Sequence, residues 1–205
     1  FLPLETELGP CFTVNSLQPG GKSTIHMYSN SSTGPGLLSF SVHREAFIFL
    51  HAREDVPYSN IPEEFKELVM LSSELVITFQ VNEIENDPAL LGVPVKSRKC
   101  RFPHENRLKH HEAYSYSACV TECRLKAQMD ICNCTHHFMR TSGVVPICRL
   151  EQFECLLNYS DIFKRLKPHH SIQSGIDCQC ESSCTEHDLV VVSKHSRAIA
   201  ENATS

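Results

Sequence analysis

Over residues 1–99 the hydrophobic and polar positions follow a strand-like period, and over residues 100–184 they follow a helical one. Phe12 to Asn15 predicts a short strand, and Ser16 to Gly21 a turn broken by Pro19-Gly20-Gly21. Ser29 to Gly36 is a Ser/Gly/Pro loop. Leu37 to His43 alternates apolar and polar, as a half-buried strand should. Glu45 to His51 is a β-prone run around Ala-Phe-Ile-Phe-Leu, ended by charge and Pro57. Pro62 to Leu71 suggests a short helix. Glu74 to Ile84 is the strongest strand pattern, with Leu75, Ile77, Phe79 and Val81 on one face. Glu54-Asp55 reads as an exposed charged turn after a strand, where a cation could bind.

Beyond residue 100, Ser115 is a suitable N-cap for a helix from about Tyr116 to Ile131. Its expected apolar face is Tyr116, Cys119, Val120, Cys123 and Ala127. A second helix is expected over Leu150 to Leu166, with Leu150, Phe153, Leu157, Ile162 and Leu166 inward and Pro168 as its stop. Cys178 to Cys184 reads as extended, followed by a short strand at Leu189 to Ser193. No internal repeat or low-complexity tract interrupts the pattern. The expected class is α+β, a β-rich portion joined to a disulfide-stapled helical portion.

Composition adds a compartment to this picture. The chain has 205 residues, enough for one large domain or two small lobes, and 41% are hydrophobic. Ten of its 11 cysteines lie between Cys100 and Cys184, a density that belongs to an oxidising environment. Four N-x-[ST] glycosylation candidates agree, at Asn30, Asn133, Asn158 and Asn202. No stretch approaches the roughly 18 to 20 apolar residues of a membrane helix. No signal peptide is present either, so the expectation is a fragment or processed piece. The net charge of −5 is uneven, because Lys96 to Lys126 is locally basic. Cysteines and sequons interleaved with that stretch favour a solvated extracellular face over nucleic acid.

Ten cysteines allow roughly 900 pairings, so counting alone does not fix connectivity. Geometry narrows the choice. Cys119 and Cys123 sit four apart on one helix face, about 6 Å along the axis. Cys178 and Cys180 sit two apart on one strand face, about 6.6 Å apart. A strand lying along the helix would therefore make two rungs. A nested order gives Cys119–Cys180 and Cys123–Cys178, with Cys100–Cys184 outside and Cys132–Cys155 and Cys134–Cys148 inside. Cys11 is left over, and its partner is expected upstream of this chain. Zinc is the competing use of Cys132, Cys134, His136, His137 and Cys148, although their spacing lacks a C-x₂-C pair.

Several segments resemble the degenerin/epithelial sodium channel/acid-sensing channel family. Gly9-Pro-Cys-Phe-Thr-Val-Asn15 looks like its G-x-C-[YF]-T-[FV]-N segment, and Cys100-Arg-Phe-Pro-His-Glu105 resembles the insect pickpocket branch. Tyr114 to Cys123, Cys132-x-Cys134, His137-Phe-Met139, Cys148, Cys155 and Cys178-x-Cys180-x-x-x-Cys184 are similar to its thumb signature. The resemblance implies a trimeric, sodium-selective channel in the plasma membrane, with two membrane helices per subunit and a palm, thumb, finger, knuckle and β-ball outside. Residues 1–99 would belong to the palm/β-ball/finger region, 100–184 to the thumb, and 185–205 to a returning palm strand and the start of the knuckle. The family's thumb pairing matches the nested order, and its Cys11 equivalent pairs upstream. Both membrane helices and the pore lie outside such a piece. Where acid-sensing members carry Trp, this chain has Arg98, and their thumb carboxylates are matched only in part, by Asn158 and Asp161. The implied partners are sodium ions, related subunits and the membrane, with no cofactor and no nucleic acid.

Other chemistry is thinly represented. His110-His111, His136-His137 and His169-His170 titrate near neutrality but read as solvated loop residues. His111-Glu112 lacks the second histidine of H-E-x-x-H, since position 115 is Ser. No enzyme is expected. The alternative to a channel piece is a secreted disulfide-rich binding or inhibitor module.

Overall fold

The computed structural model describes residues 1–18, 29–84, 86–139, 145–168 and 171–199. Pro19-Gly20-Gly21, His169-His170 and the sequon at Asn202 lie outside them. The fold is α+β, and five disulfides staple its helical region.

The β portion is a set of two-stranded pairings. Strands β1 (Leu2–Thr6) and β2 (Gly9–Thr13) form a tight antiparallel hairpin. Strand β3 (Ala46–Phe49) pairs antiparallel with β4 (Lys66–Val69). The helix expected over 62–71 is absent: a single 3₁₀ turn at Glu63–Phe65 leads straight into β4. The free edge of β3 supplies a ladder to residues whose own preference is weak, and pairing overrides propensity. Residues 37–43 form no strand either. Leu37 is 93% exposed, and Phe40, itself exposed, meets the Phe1 ring edge-on, with ring centres 5.3 Å apart. Alternation without a neighbouring edge does not make a strand.

Strand β5 (Ser73–Ile84) runs antiparallel to β8 (Glu186–Ala198) along its whole length. The register shifts at Thr78/Phe79, where Val192 of β8 is skipped in the pairing. Leu75 and Ile77 are half-buried, while Phe79 and Val81 are exposed. The returning strand is also much longer than the 189–193 read from sequence.

After a short helix α1 (Val95–Arg98), strand β6 (Cys100–Arg101) pairs in parallel with β7 (Ser182–Ser183). Helix α2 (Tyr116–Cys132) begins where Ser115 Oγ accepts the Ala118 N–H at 3.1 Å, and it stops at Asn133 in the left-handed region. The second expected helix is broken. A 3₁₀ turn at Leu150–Gln152 precedes α3 (Phe153–Asn158), and Tyr159 separates that from α4 (Ser160–Lys164). Leu156 and Phe163 point into the core, whereas Leu150 (86% exposed) and Leu157 (71%) point out, against expectation. The bridge from Cys155 to Cys132 fixes the rotation of α3, and the break at Tyr159 re-aims α4 so that Phe163 reaches the same core. The helical run ends before Pro168, because Leu166 turns out to pair with Ile176.

Two apolar clusters result. The larger lies inside the cysteine-rich half, around Cys132, Cys134, Cys148, Leu156, Phe163 and Ile176. The smaller joins the halves: Leu4 and Val56 from the β portion meet Ala118 of α2. Among the described residues no helix is long and apolar enough to cross a membrane.

Candidate functional site

Helix α2 has two working sides. One side carries Cys119 and Cys123, bonded to Cys180 and Cys178 with Cα separations of 5.9 and 5.5 Å. Cys132 bonds Cys155 and Cys134 bonds Cys148, at the far end of the helix. Cys100–Cys184 closes the near end, across β6 and β7. Cys132, Cys134 and Cys148 are thus all spent in bridges, leaving no thiolate beside His136 for the zinc alternative. Among the described residues no metal-holding cluster forms.

The other side of α2 is buried and polar. Ser117, Thr121, Arg124 and Gln128 recur at helical spacing, all under 9% exposed. Arg124 is the centre of this stripe. Its Nη1 lies 2.5 Å from the Glu7 carboxylate in the β1–β2 turn, and both side chains are almost fully buried. Its Nε donates to the Phe163 carbonyl at 3.0 Å, near the end of α4, and its Nη2 donates to Asn60. Ser117 Oγ donates to Asp55 at 2.7 Å and accepts the Val56 N–H at 3.0 Å. Gln18 Nε2 donates to the carbonyls of Ala113, at 3.0 Å, and Glu54. Arg124, Ser117 and Gln18 each reach a partner in the other half, which makes the seam specific in register, whereas Thr121 bonds back to the Ser117 carbonyl and Gln128 accepts from Thr135 and His136.

Sequence reasoning missed this stripe because polar residues at helical spacing look like a solvated face. The face it chose, Tyr116, Cys119, Cys123 and Ala127, is the half-exposed side that carries the bridges, although Val120 is indeed fully buried. The signal that would have found the stripe is an Arg inside a run of Ser and Thr, with no acidic residue four places away to pair it on the surface.

Glu54 is a second correction. It is 4% exposed, not part of an exposed turn. It floors a groove of about 410 Å³ between residues 50–58, the start of α2 and the start of β8. Burial pushes its carboxyl above the usual carboxylate range, despite His187, whose Nδ1 lies 3.4 Å away. His187 Nε2 also lies 3.2 Å from Glu83 on β5. The imidazole therefore links the groove to the end of the β5–β8 ribbon.

That ribbon end is where the cysteine-rich half attaches. Ile84 pairs with Glu186, and Cys184 lies two residues before it. Arg101 is 3.4 Å from Glu181 and stacks over Tyr114, whose hydroxyl donates to the Glu181 carbonyl at 2.6 Å. Burial and the nearby Glu181 push the Tyr114 hydroxyl up to about 12. Arg98 pairs with Glu105, so three cations of the basic stretch, Arg98, Arg101 and Arg124, serve structural contacts.

The remaining sequence candidates are separate. Cys11 is unbonded and half-buried against the Leu4–Val56–Ala118 cluster. Asn30, Asn133 and Asn158 are exposed. Asp161 lies in the first turn of α4. His136 and His137 stack on each other, ring centres 4.3 Å apart, beside Phe138 and Phe153. Burial, with His137 adding to it, lowers the His136 imidazole pKa.

A model of the amiloride-sensitive sodium channel family matches residues 1–204. The chain is similar to "Sodium channel protein Nach" of Drosophila virilis, 29% identical over 123 residues, which are 59% of this chain and 30% of that protein. It is 23% identical over 204 residues to the Drosophila ananassae protein of the same name, covering 91% of this chain and 37% of that one. Pickpocket protein 11 of Drosophila melanogaster is 23% identical over 139 residues, 67% of this chain and 25% of that protein. The chain spans about a third of the length of these curated relatives.

Proposed function

The chain belongs to the amiloride-sensitive sodium channel family, and on that premise we propose that it is an extracellular gating portion of a trimeric, sodium-selective channel in the plasma membrane. Residues 1–99 are its palm, β-ball and finger region, 100–184 its thumb, and 185–205 the returning palm strand and the start of the knuckle. The membrane helices and pore belong to the rest of the parent protein, as does the upstream partner of Cys11. Its role is that of sensor and lever, and not that of an enzyme.

One observation carries this reading. Both ends of the cysteine-rich half join the same end of the β5–β8 ribbon, clamped by Cys100–Cys184. Five bridges leave that half few internal degrees of freedom, whereas the ribbon has no bridge within it. A displacement of the stapled half therefore arrives at the ribbon largely undamped.

The test is to express the full-length protein in oocytes with an epitope inserted at Gly36, in an exposed loop where an added side chain meets nothing. Antibody bound to intact cells, together with a sodium current blocked by amiloride, is the expected result. Epitope recovered only from the medium would instead establish a secreted binding module.

A further inference from the structure

Three N-x-[ST] sequons lie among the described residues, and the fold treats two of them in opposite ways. Asn30 sits at an exposed turn closed by a pairing to Gly34. Its Oδ1 accepts from the Ser32 N–H at 2.9 Å, the Thr33 N–H at 2.8 Å and the Ser32 hydroxyl at 2.7 Å. The sequon's amide and hydroxyl are thus side by side, with Ser31, Ser32 and Thr33 all exposed. Asn133 is also exposed, but the rest of its sequon is locked away. Cys134 is 1% exposed and bonded to Cys148. Thr135 is fully buried: its hydroxyl donates to Gln128 at 2.9 Å, its N–H to the Pro146 carbonyl, and its carbonyl accepts the Cys148 N–H. A transferase that must engage both the amide and the hydroxyl finds the first sequon presented and the second closed.

We propose that this chain carries an N-linked oligosaccharide at Asn30, and that modification at Asn133 is decided by a race with closure of the Cys134–Cys148 bridge. The proposal rests on the extracellular reading, since both reactions belong to the secretory lumen. In the transfer, the Asn amide nitrogen bonds the anomeric carbon of a lipid-pyrophosphate-linked oligosaccharide. The carbon–oxygen bond to pyrophosphate breaks, the lipid pyrophosphate leaves, and the amide proton passes to a base of the transferase. In the competing step the Cys134 and Cys148 thiols lose two protons and two electrons to a disulfide-bearing oxidant, which is reduced to two thiols. Only 14 residues separate the two cysteines, so at ordinary synthesis rates the second follows the first by about 1–3 s. Closure pulls Thr135 into the core, and the sequon is then beyond reach. Asn30 has no cysteine near it and no such deadline.

The experiment is glycopeptide mass spectrometry on the full-length protein from insect cells, with glycosidase release in heavy-oxygen water marking each occupied Asn. Three arms are compared: wild type, Cys148→Ser, and wild type synthesised with dithiothreitol in the medium. Because transfer accompanies synthesis, a variant that later misfolds still reports its occupancy. The expected result is Asn30 occupied in every arm, with Asn133 low in wild type and several-fold higher in the other two. Equal Asn133 occupancy in all arms, or an unmodified Asn30, overturns the proposal. If no sequon is modified and the cysteines alkylate as free thiols, the extracellular reading falls, and this proposal with it.

Discussion

On the Arg124 guanidinium, groups from three separate segments converge: Glu7, Asn60 and the Phe163 carbonyl. Removing it leaves the Glu7 carboxylate buried without its cation, which costs about 3–5 kcal/mol. Arg124→Ala is therefore expected to lower the unfolding free energy by that order in urea titration of the secreted chain. Adding Glu7→Gln should return part of the loss, because the stranded charge is gone. A loss below about 1 kcal/mol would place the pair among surface bridges instead. Glu122 makes a pH prediction. Half-burial pushes its carboxyl up, but His111 and the N–H groups of Lys109 and His110 outweigh this and hold it below its ordinary value near 4.5. A carboxylate depressed in the folded state contributes stability that is present above its unfolded pKa and lost as pH falls through the folded one. Melting of wild type against Glu122→Gln should show a gap at neutral pH that closes below about pH 4. A gap that stays constant down to pH 3 would remove Glu122 from this role.

Among the elements, the Cys100–Cys184 clamp closes the longest loop, its ends 84 positions apart in sequence. The chain-entropy estimate for such a loop is about 4–5 kcal/mol, an upper guide. Cys100→Ser should loosen the whole cysteine-rich half, read as earlier proteolytic cleavage between residues 100 and 184 and a lower melting temperature. An unchanged melt would mean that the inner rungs suffice. Gly175 sets the return that pairs Leu166 with Ile176. Its φ is +153°, and a Cβ there would stand 2.7 Å from the Arg165 carbonyl oxygen. Gly175→Ala should therefore destabilise the chain between α4 and Cys178, visible as faster amide exchange at Ile176. Slow exchange retained there would refute the clash. The elements legible in the sequence were those with strong local signals: β5, the Ser115-capped α2 and the run at 46–49. Those misread, 37–43, 62–71 and the unbroken helix over 150–166, depended on whether a partner edge or a bridge was nearby, which no local window records. The polar seam of α2 stayed hidden for the same reason, since its partners across the seam lie at Glu7, Asp55, Val56 and Asn60, far away in sequence.

The whole molecule couples a stapled half to a pliable one through a seam and a clamp. In the proposed gating role a displacement of the cysteine-rich half is transmitted in proportion to its stiffness, so loosening the inner rungs should absorb it before it reaches β5 and β8. The most direct test records current from the full-length channel, wild type against Cys123→Ser with Cys178→Ser, at matched surface expression. The expected result is weaker stimulus-evoked opening with an unchanged sodium-to-potassium preference, because no helix among the described residues is long and apolar enough to cross a membrane and the proposed reading puts the pore in other segments of the parent protein. Gating equal to wild type, or an altered ion preference with normal gating, would contradict it.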